Sequence, residues 1–283
     1  MLNSSFTDKV VVVTGGSSGI GQQIARDLLR IGAFVTIVSD QRAKLDSAYA
    51  ELKETFPAVE AIVCDIRNRE QVSQMAQRVL ERHQHIDILI NNAGYAVYRP
   101  FEESTTEEVL DILDVNLAGA MRCAKAFLPS MIARRSGRIV NVSSIGGETI
   151  ITPNAVYCAA KHGMVAWTRA IRYELSHFGV AVNVVCPGHT KTNFHDHPTF
   201  RRRDVYRRKG SRSMGVETVS SAVLDAIRKD RIVTYVPSWQ GLVVWALNTF
   251  SFVMAPVWNV ITKERIAQLY EQIESEKQVD LVR

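Results

Sequence analysis

A run of four valines, Val10–Val13, leads into Thr14-Gly15-Gly16-Ser17-Ser18-Gly19-Ile20-Gly21, and an amphipathic stretch, Ile20–Ile31, follows at once. Few architectures accommodate that order. An unbroken valine run is apolar on both faces of a strand, as a parallel strand sandwiched between helices must be. The glycines then allow a sharp reversal, and the change to a 3.6-residue period marks a helix. The same alternation recurs along the chain. Lys9–Thr14, Phe34–Ser39, Val59–Cys64, Asp87–Ile90, Arg138–Val142, Val180–Val185 and Arg231–Val236 read as short strands. Ile20–Ile31, Ala43–Thr55, Arg69–His83 and Asn154–Phe178 read as helices among them. The pattern predicts a single α/β domain: a doubly wound parallel sheet of about seven strands with helices on both faces.

After Val236 the character changes. No charged residue occurs from Ile232 to Thr262, a run of 31 holding Trp239, Trp245 and Trp258. A charged amphipathic stretch, Lys263–Lys277, closes the chain. The sequence therefore divides into a core, residues 1–237, and an apolar helical appendage, residues 238–283. A bilayer span needs about 20 mainly apolar residues. Gln240, Asn248, Thr249 and Pro256 make this stretch a poor spanning helix, whereas its tryptophans suit a membrane surface, a subunit interface or packing on the core.

Charge is localised. Arg201, Arg202, Arg203, Arg207, Arg208, Lys209 and Arg212 are opposed only by Asp204, so one loop more than accounts for the net charge of +5. That argues against a broad nucleic-acid-binding face. The loop is either a solvated charge run or a dock for an anionic partner such as a phospholipid surface, acyl carrier or coenzyme A. The four cysteines (Cys64, Cys123, Cys158, Cys186) form no C-x-x-C pair, and the first residues form no secretory signal, which points to a cytoplasmic protein. His195-Asp196-His197 shows no third ligand in register, and no metal is expected.

The glycine turn carries chemistry. Glycines let the backbone approach a pyrophosphate, and the amino end of the following helix supplies free N–H groups and positive potential. Tyr157 and Lys161 are i, i+4 and share one helix face. A free phenol has a pKa near ~10, and a neighbouring ammonium favours its ionised form. Tyr157 is thereby a candidate general acid and base. Ser144, thirteen residues upstream at a strand end, is placed to hold a substrate oxygen, with Ser143 as its adjacent competitor.

The T-G-x-x-x-G-x-G spacing, Asn91-Asn92-Ala93-Gly94, Asn116, Ser144, Tyr157-x-x-x-Lys161 and Pro187-Gly188 occur in one order over roughly residues 8–237. Together they resemble the short-chain dehydrogenase/reductase family. The resemblance implies NAD- or NADP-dependent interconversion of an alcohol and a ketone, with Tyr157, Lys161, Ser144 and Asn116 as the catalytic set. It implies that Lys161 also holds the nicotinamide ribose and that Asn116 positions a water in a proton relay. Cofactor contacts are implied at Gly15, Ser17, Ser18, Gly19, Ile20, Gly21, Asp65, Ile66, Asn92, Ala93, Gly94, Pro187, Gly188, Thr190 and Thr192. Asp65 falls at the family position for the adenine amino group. A homodimer or homotetramer is the usual assembly. The apolar appendage is similar to those of microsomal hydroxysteroid dehydrogenases and 3-ketosphinganine reductases, implying a small lipophilic substrate and peripheral membrane contact through residues 201–212 and 238–260. A 3-ketoacyl thioester substrate is the alternative, as is a dinucleotide-sensing regulator without turnover.

The family's acidic NAD-selecting residue falls at position 39 and its NADP-selecting arginine at position 40; here these are Ser39 and Asp40. A carboxylate accepts from the ribose 2′-OH and repels a 2′-phosphate. Asp40 therefore favours NAD, Arg42 is the residue that would serve a phosphate, and a helix N-cap is the alternative role for Asp40.

Overall fold

The computed structural model describes residues 6–192 and 213–250, and, beyond them, 252, 256, 263, 266–268, 270, 271 and 273–275. The basic run 201–212, His195-Asp196-His197 and Trp258 lie outside the described residues.

Seven parallel strands form one sheet. They are β1 (Val10–Thr14), β2 (Phe34–Ser39), β3 (Val59–Val63), β4 (Ile88–Asn91), β5 (Gly137–Val142), β6 (Val180–Pro187) and β7 (Val233–Val236). Their spatial order is β3-β2-β1-β4-β5-β6-β7. The chain winds outward from β1 to β3, crosses back, and winds outward again from β4. The direction reverses between β1 and β4, so the carboxyl ends of those strands flank the crevice where such sheets bind ligands.

The valine run works as its pattern predicts. Val11 and Val13 enter one core with Ile24 and Leu28 of α1 (Gly19–Arg30), Leu45 and Leu52 of α2 (Arg42–Thr55) and Val35 and Ile37 of β2. Val10 and Val12 enter the other, with Met75 and Val79 of α3 (Arg69–His83) and Ile62 of β3. The four helices read from periodicity are all present within one or two residues at each end. The structure adds α4 (Thr106–Leu113), α5 (Gly119–Ala133), α7 (Val216–Lys229) and α8 (Gln240–Thr249). Phe127 and Met131 of α5 are fully buried in the second core, and Val219, Val223 and Ile227 of α7 close the first. Asp114–Ala118, a π-helical turn, joins α4 to α5.

A buried polar chain fixes α6 (Ala155–Ser176) against the sheet. Asn91 Nδ2 donates to Asn141 Oδ1 at 2.9 Å, Asn141 Nδ2 to Thr168 Oγ1 at 2.8 Å, and Thr168 Oγ1 to Met164 O at 2.7 Å. The first link joins β4 to β5 and the second β5 to α6, while the third returns the hydroxyl to α6's own backbone. Breaking one strands a buried group at a cost of about 1–3 kcal/mol, so the depth of α6 relative to β5 is tightly set. At the opposite end of the sheet, Arg138 and Arg172 converge on Asp230 and hold its carboxyl far below the usual carboxylate range.

Candidate active site

The glycine turn fits a pyrophosphate. Gly15 and Gly19 have φ of +64° and +55°, where a side chain would be strained. A Cβ at Gly21 would lie 2.3 Å from Gly15 O and 2.5 Å from Asn92 Nδ2, so the turn and the helix it opens pack backbone to backbone. Ser18 is the α1 N-cap, makes no side-chain cap, and no acidic residue follows in the first turn. The positive amino end of α1 is thus uncompensated by its own sequence. Asn92 Nδ2 donates to Thr14 O and Gly15 O at 3.1 and 3.2 Å, and Thr14 Oγ1 accepts from the amides of Asn92 and Ala93. Asn92, read from sequence as a ligand contact, spends its side-chain N–H groups holding the turn. Ile20 packs, half-buried, against the first core, and Ile66 is buried in the second.

Ser17 Oγ donates to Ser39 Oγ, which also accepts from Gln41 N at 3.2 Å. That bond delays the start of α2, whose N-cap is Gln41 and whose first residue is Arg42. The N-cap role considered for Asp40 is therefore overturned: its carboxylate stands exposed just past β2. Arg42 pairs with Asp46 one turn on, at 3.0 Å and in solvent. Asp65 lies after β3, with both carboxylate oxygens engaged by Arg67, whose guanidinium holds its pKa down.

The catalytic candidates come together from three elements. Ser144 follows β5, Tyr157 lies in the first turn of α6 and Lys161 one turn later. All of Tyr157, Lys161 and Asn116 are buried. Ser144 Oγ accepts from Gly146 N at 3.1 Å and is hydrogen-bonded to the Tyr157 phenol. Ser143 instead turns inward and donates to Lys161 O at 3.2 Å. Lys161 Nζ donates to Val142 O at 3.1 Å and sits 5.6 Å from the centre of the Tyr157 ring.

Burial dominates the electrostatics of the pair. Burial pushes the Tyr157 phenol up, against the downward pull of Ser144, and no effect of Lys161 on it is resolved. Burial pushes Lys161 down to about 8. Desolvation is the largest cause of both shifts.

Asn116 lies in the π-helical turn. Its Nδ2 donates to Tyr95 O at 2.8 Å and Ile112 O at 3.0 Å, while Oδ1 has no hydrogen-bond partner among the described residues. A Cβ at Gly94 would lie 2.5 Å from that Oδ1 and 3.5 Å from Lys161 Nζ. Gly94 therefore keeps open the space that both polar atoms reach.

On the far side, Pro187 ends β6 and Gly188 N donates to Val236 O. Thr190 Oγ1 is spent on Gly188 O, whereas Thr192 lies over Gly19. The sequence reading missed Tyr98, which packs with Ala96 on the Tyr157 ring. It also missed Glu148, buried after Ser144 between Arg169 Nη2 at 2.6 Å and Tyr235 OH at 3.2 Å. Proximity to Asn92-Ala93-Gly94 was a signal for Tyr98; Glu148 had none, its partners being far along the chain. No cluster of metal-binding side chains occurs among the described residues.

Residues 9–199 match the family model for short chain dehydrogenases. Ketoacyl reductase HetN of Nostoc sp. is 39% identical over 186 residues, 66% of this chain and 65% of that protein. Dehydrogenase/reductase SDR family member 7B of Danio rerio is 33% identical over 67% of this chain and 63% of its own length. The chain thus spans slightly under two thirds of these curated relatives. Actinorhodin polyketide ketoreductase, solved with NADPH, is 30% identical and superposes with a TM-score of 0.73 over 83% of this chain and 97% of that one.

Proposed function

This chain belongs to the short-chain dehydrogenase/reductase family, and from that premise we propose that it is an NAD(P)-dependent oxidoreductase interconverting a secondary alcohol and a ketone on a lipophilic substrate. The observation that carries the reading is the buried Tyr157–Lys161 pair, with half-buried Ser144 on the phenol, standing beside the Oδ1 of Asn116 that has no partner among the described residues. A bound nicotinamide dinucleotide supplies the hydride in reduction and accepts it in oxidation.

The chain's own residues do the rest. The Gly15–Gly21 turn and the α1 amino end hold the pyrophosphate, Asp65 the adenine edge, Lys161 the nicotinamide ribose, and the backbone at Ala93, Gly94, Pro187 and Gly188 lines the path between. Thr192 serves the phosphates beside Gly19; Thr190 supports it by fixing the Gly188 carbonyl. Ser144 donates to the substrate oxygen. Tyr157 donates the phenolic proton to a carbonyl oxygen in reduction and takes it back in oxidation. Lys161, at about 8, exchanges protons near neutral pH, and Asn116 Oδ1 provides the acceptor through which the proton leaves.

NAD is the preferred cofactor in this reading. Asp40 stands exposed at the end of β2, where a carboxylate repels a 2′-phosphate, and Arg42 is turned to Asp46. Fluorescence titration should show NADH binding roughly tenfold more tightly than NADPH, the size of one unfavourable charge contact of about 1.4 kcal/mol. Tighter NADPH binding would assign Arg42 to the phosphate. It would also favour the second reading, a 3-ketoacyl thioester reductase, which the ketoacyl reductase relatives support.

The lipophilic substrate rests on apolar side chains around the carboxyl edge of the sheet. Phe101 follows β4, Ile150 follows β5, and Trp239, Leu242 and Trp245 follow β7, all exposed. Residues 238–283 form the appendage, and α8 buries only Val244. No described helix is long and apolar enough to cross a membrane. The exposed tryptophans instead suit peripheral contact with a lipid surface. Liposome flotation should capture the full chain and lose it on deletion of 238–283; unchanged flotation removes the appendage as the anchor.

A further inference from the structure

Asn116 is held by a brace that starts at the far end of the dinucleotide site. Its Nδ2 rests on two carbonyls, Tyr95 O and Ile112 O. Tyr95 is gripped at both ends, because its hydroxyl donates to Asp111 Oδ2 in α4 while its carbonyl receives Asn116. Asp111 Oδ1 in turn receives Arg67 Nη1, and the remaining face of that guanidinium lies on Asp65, with Nε at 2.9 Å and Nη2 at 2.7 Å. One arginine thus joins the carboxylate after β3 to the carboxylate of α4, the bidentate role that its planar fork suits and a lysine does not.

The consequence for Asn116 is orientational. With both amide N–H groups spent, Oδ1 is the only polar atom the side chain presents toward Gly94 and Lys161. Asn116 sits in a π-helical turn, an irregularity found mostly as single turns and frequently at functional sites, and its amide is fixed by partners outside that turn. Tyr95 is such a partner, and Asp111 holds its hydroxyl.

We infer that Tyr95 and Asp111 are positioning residues for Asn116, and that Arg67 couples this brace to Asp65, so that the adenine end of the site and the proton path are held by one connected set of hydrogen bonds running through side chains and the Tyr95 carbonyl. The inference rests on the functional reading above. Loss of the brace affects turnover through the placement of Asn116, and loss of Arg67 additionally frees Asp65 from its guanidinium.

The test compares Tyr95→Phe, Asp111→Asn, Asp111→Ala and Arg67→Gln with wild type and with Tyr157→Phe, using NADH binding, steady-state kinetics with a lipophilic ketone, and amide exchange. Tyr95→Phe is expected to lower kcat roughly tenfold while KM and NADH affinity stay within about twofold, as misplacement of a catalytic group does. Asp111→Asn keeps an acceptor for the phenol and should retain more of kcat than Asp111→Ala. Arg67→Gln should also weaken NADH binding several-fold, roughly the effect of losing one charge-assisted contact. Amides of 112–119 should exchange faster in Tyr95→Phe. If Tyr95→Phe and Asp111→Ala both keep kcat within about twofold while Tyr157→Phe abolishes turnover, the brace is overturned and the functional reading stands. If Tyr157→Phe keeps full turnover, or no ketone is turned over, the functional reading falls. Exchange then decides the brace alone, faster exchange upholding it and unchanged exchange overturning it.

Discussion

Replacing Tyr157 with phenylalanine is expected to lower kcat by roughly 10²–10⁴, the usual contribution of a positioned proton donor, with dinucleotide affinity unchanged within about twofold. The substitution deletes one oxygen and little else. The ring keeps its packing against Ala96 and Tyr98, and Ser144 Oγ keeps its bond from Gly146 N, so the serine is not left unsatisfied. The fold should lose no more than about 1 kcal/mol, the typical net worth of one hydrogen bond. Steady-state kinetics beside an NADH titration and a melting curve separate these effects. Wild-type turnover in the variant would falsify the proton-donor role, whatever the binding result. A regulator that binds dinucleotide without turnover would show binding in both proteins and no rate in either.

Gly21→Ala carries the second large expectation, and its sign is what makes it informative. In an exposed helix interior, alanine is favoured over glycine by about 1 kcal/mol. Here the added methyl would lie 2.3 Å from Gly15 O and 2.5 Å from Asn92 Nδ2. The carbonyl belongs to the turn itself, and Asn92 is the side chain that ties that turn to β4, so neither yields without opening the loop. The variant should melt lower than wild type, by an amount in the range of about 1–3 kcal/mol for overpacking. NADH and NADPH should both bind about 100-fold more weakly, since the backbone N–H groups would no longer converge on one anion. Wild-type affinity in Gly21→Ala would show that the pyrophosphate does not lie on this turn.

The parts of the fold that were legible before the structure are those with strong local signals. The strands are short, rich in Val and Ile and punctuated by glycine or a polar turn, and α1, α2, α3 and α6 have charged outer faces that make their period visible. Two of the other helices offer weaker local signals: α4 has only two turns, and α5 contains Pro129 and few charges. α7 does carry an apolar face, Val219, Val223 and Ile227, opposite Asp225 and Lys229, and was legible in principle, while uncharged α8 falls within the stretch expected to be a helical appendage. Within the site, the glycine turn and the Tyr157/Lys161 pair were visible because their spacing is local. Arg67, Asp111 and Tyr95 were not, since Arg67 and Asp111 are 44 residues apart and nothing local marks such a contact.

What the sequence determined by itself is therefore the alternation of strand and helix, the turn that only glycine can make, and the helical register that puts Tyr157 and Lys161 on one face. These follow from backbone sterics and periodicity within a few residues. Only the tertiary structure showed that Ser143 turns inward to Lys161 O, that the Asn92 amide ties down the glycine turn, and that Gln41 rather than Asp40 is the N-cap of α2. The burial of Tyr157 and Lys161 was likewise decided by the tertiary structure: adjacency can be read from spacing, but desolvation, which pushes the phenol up and the ammonium down, depends on every element packed around the pair.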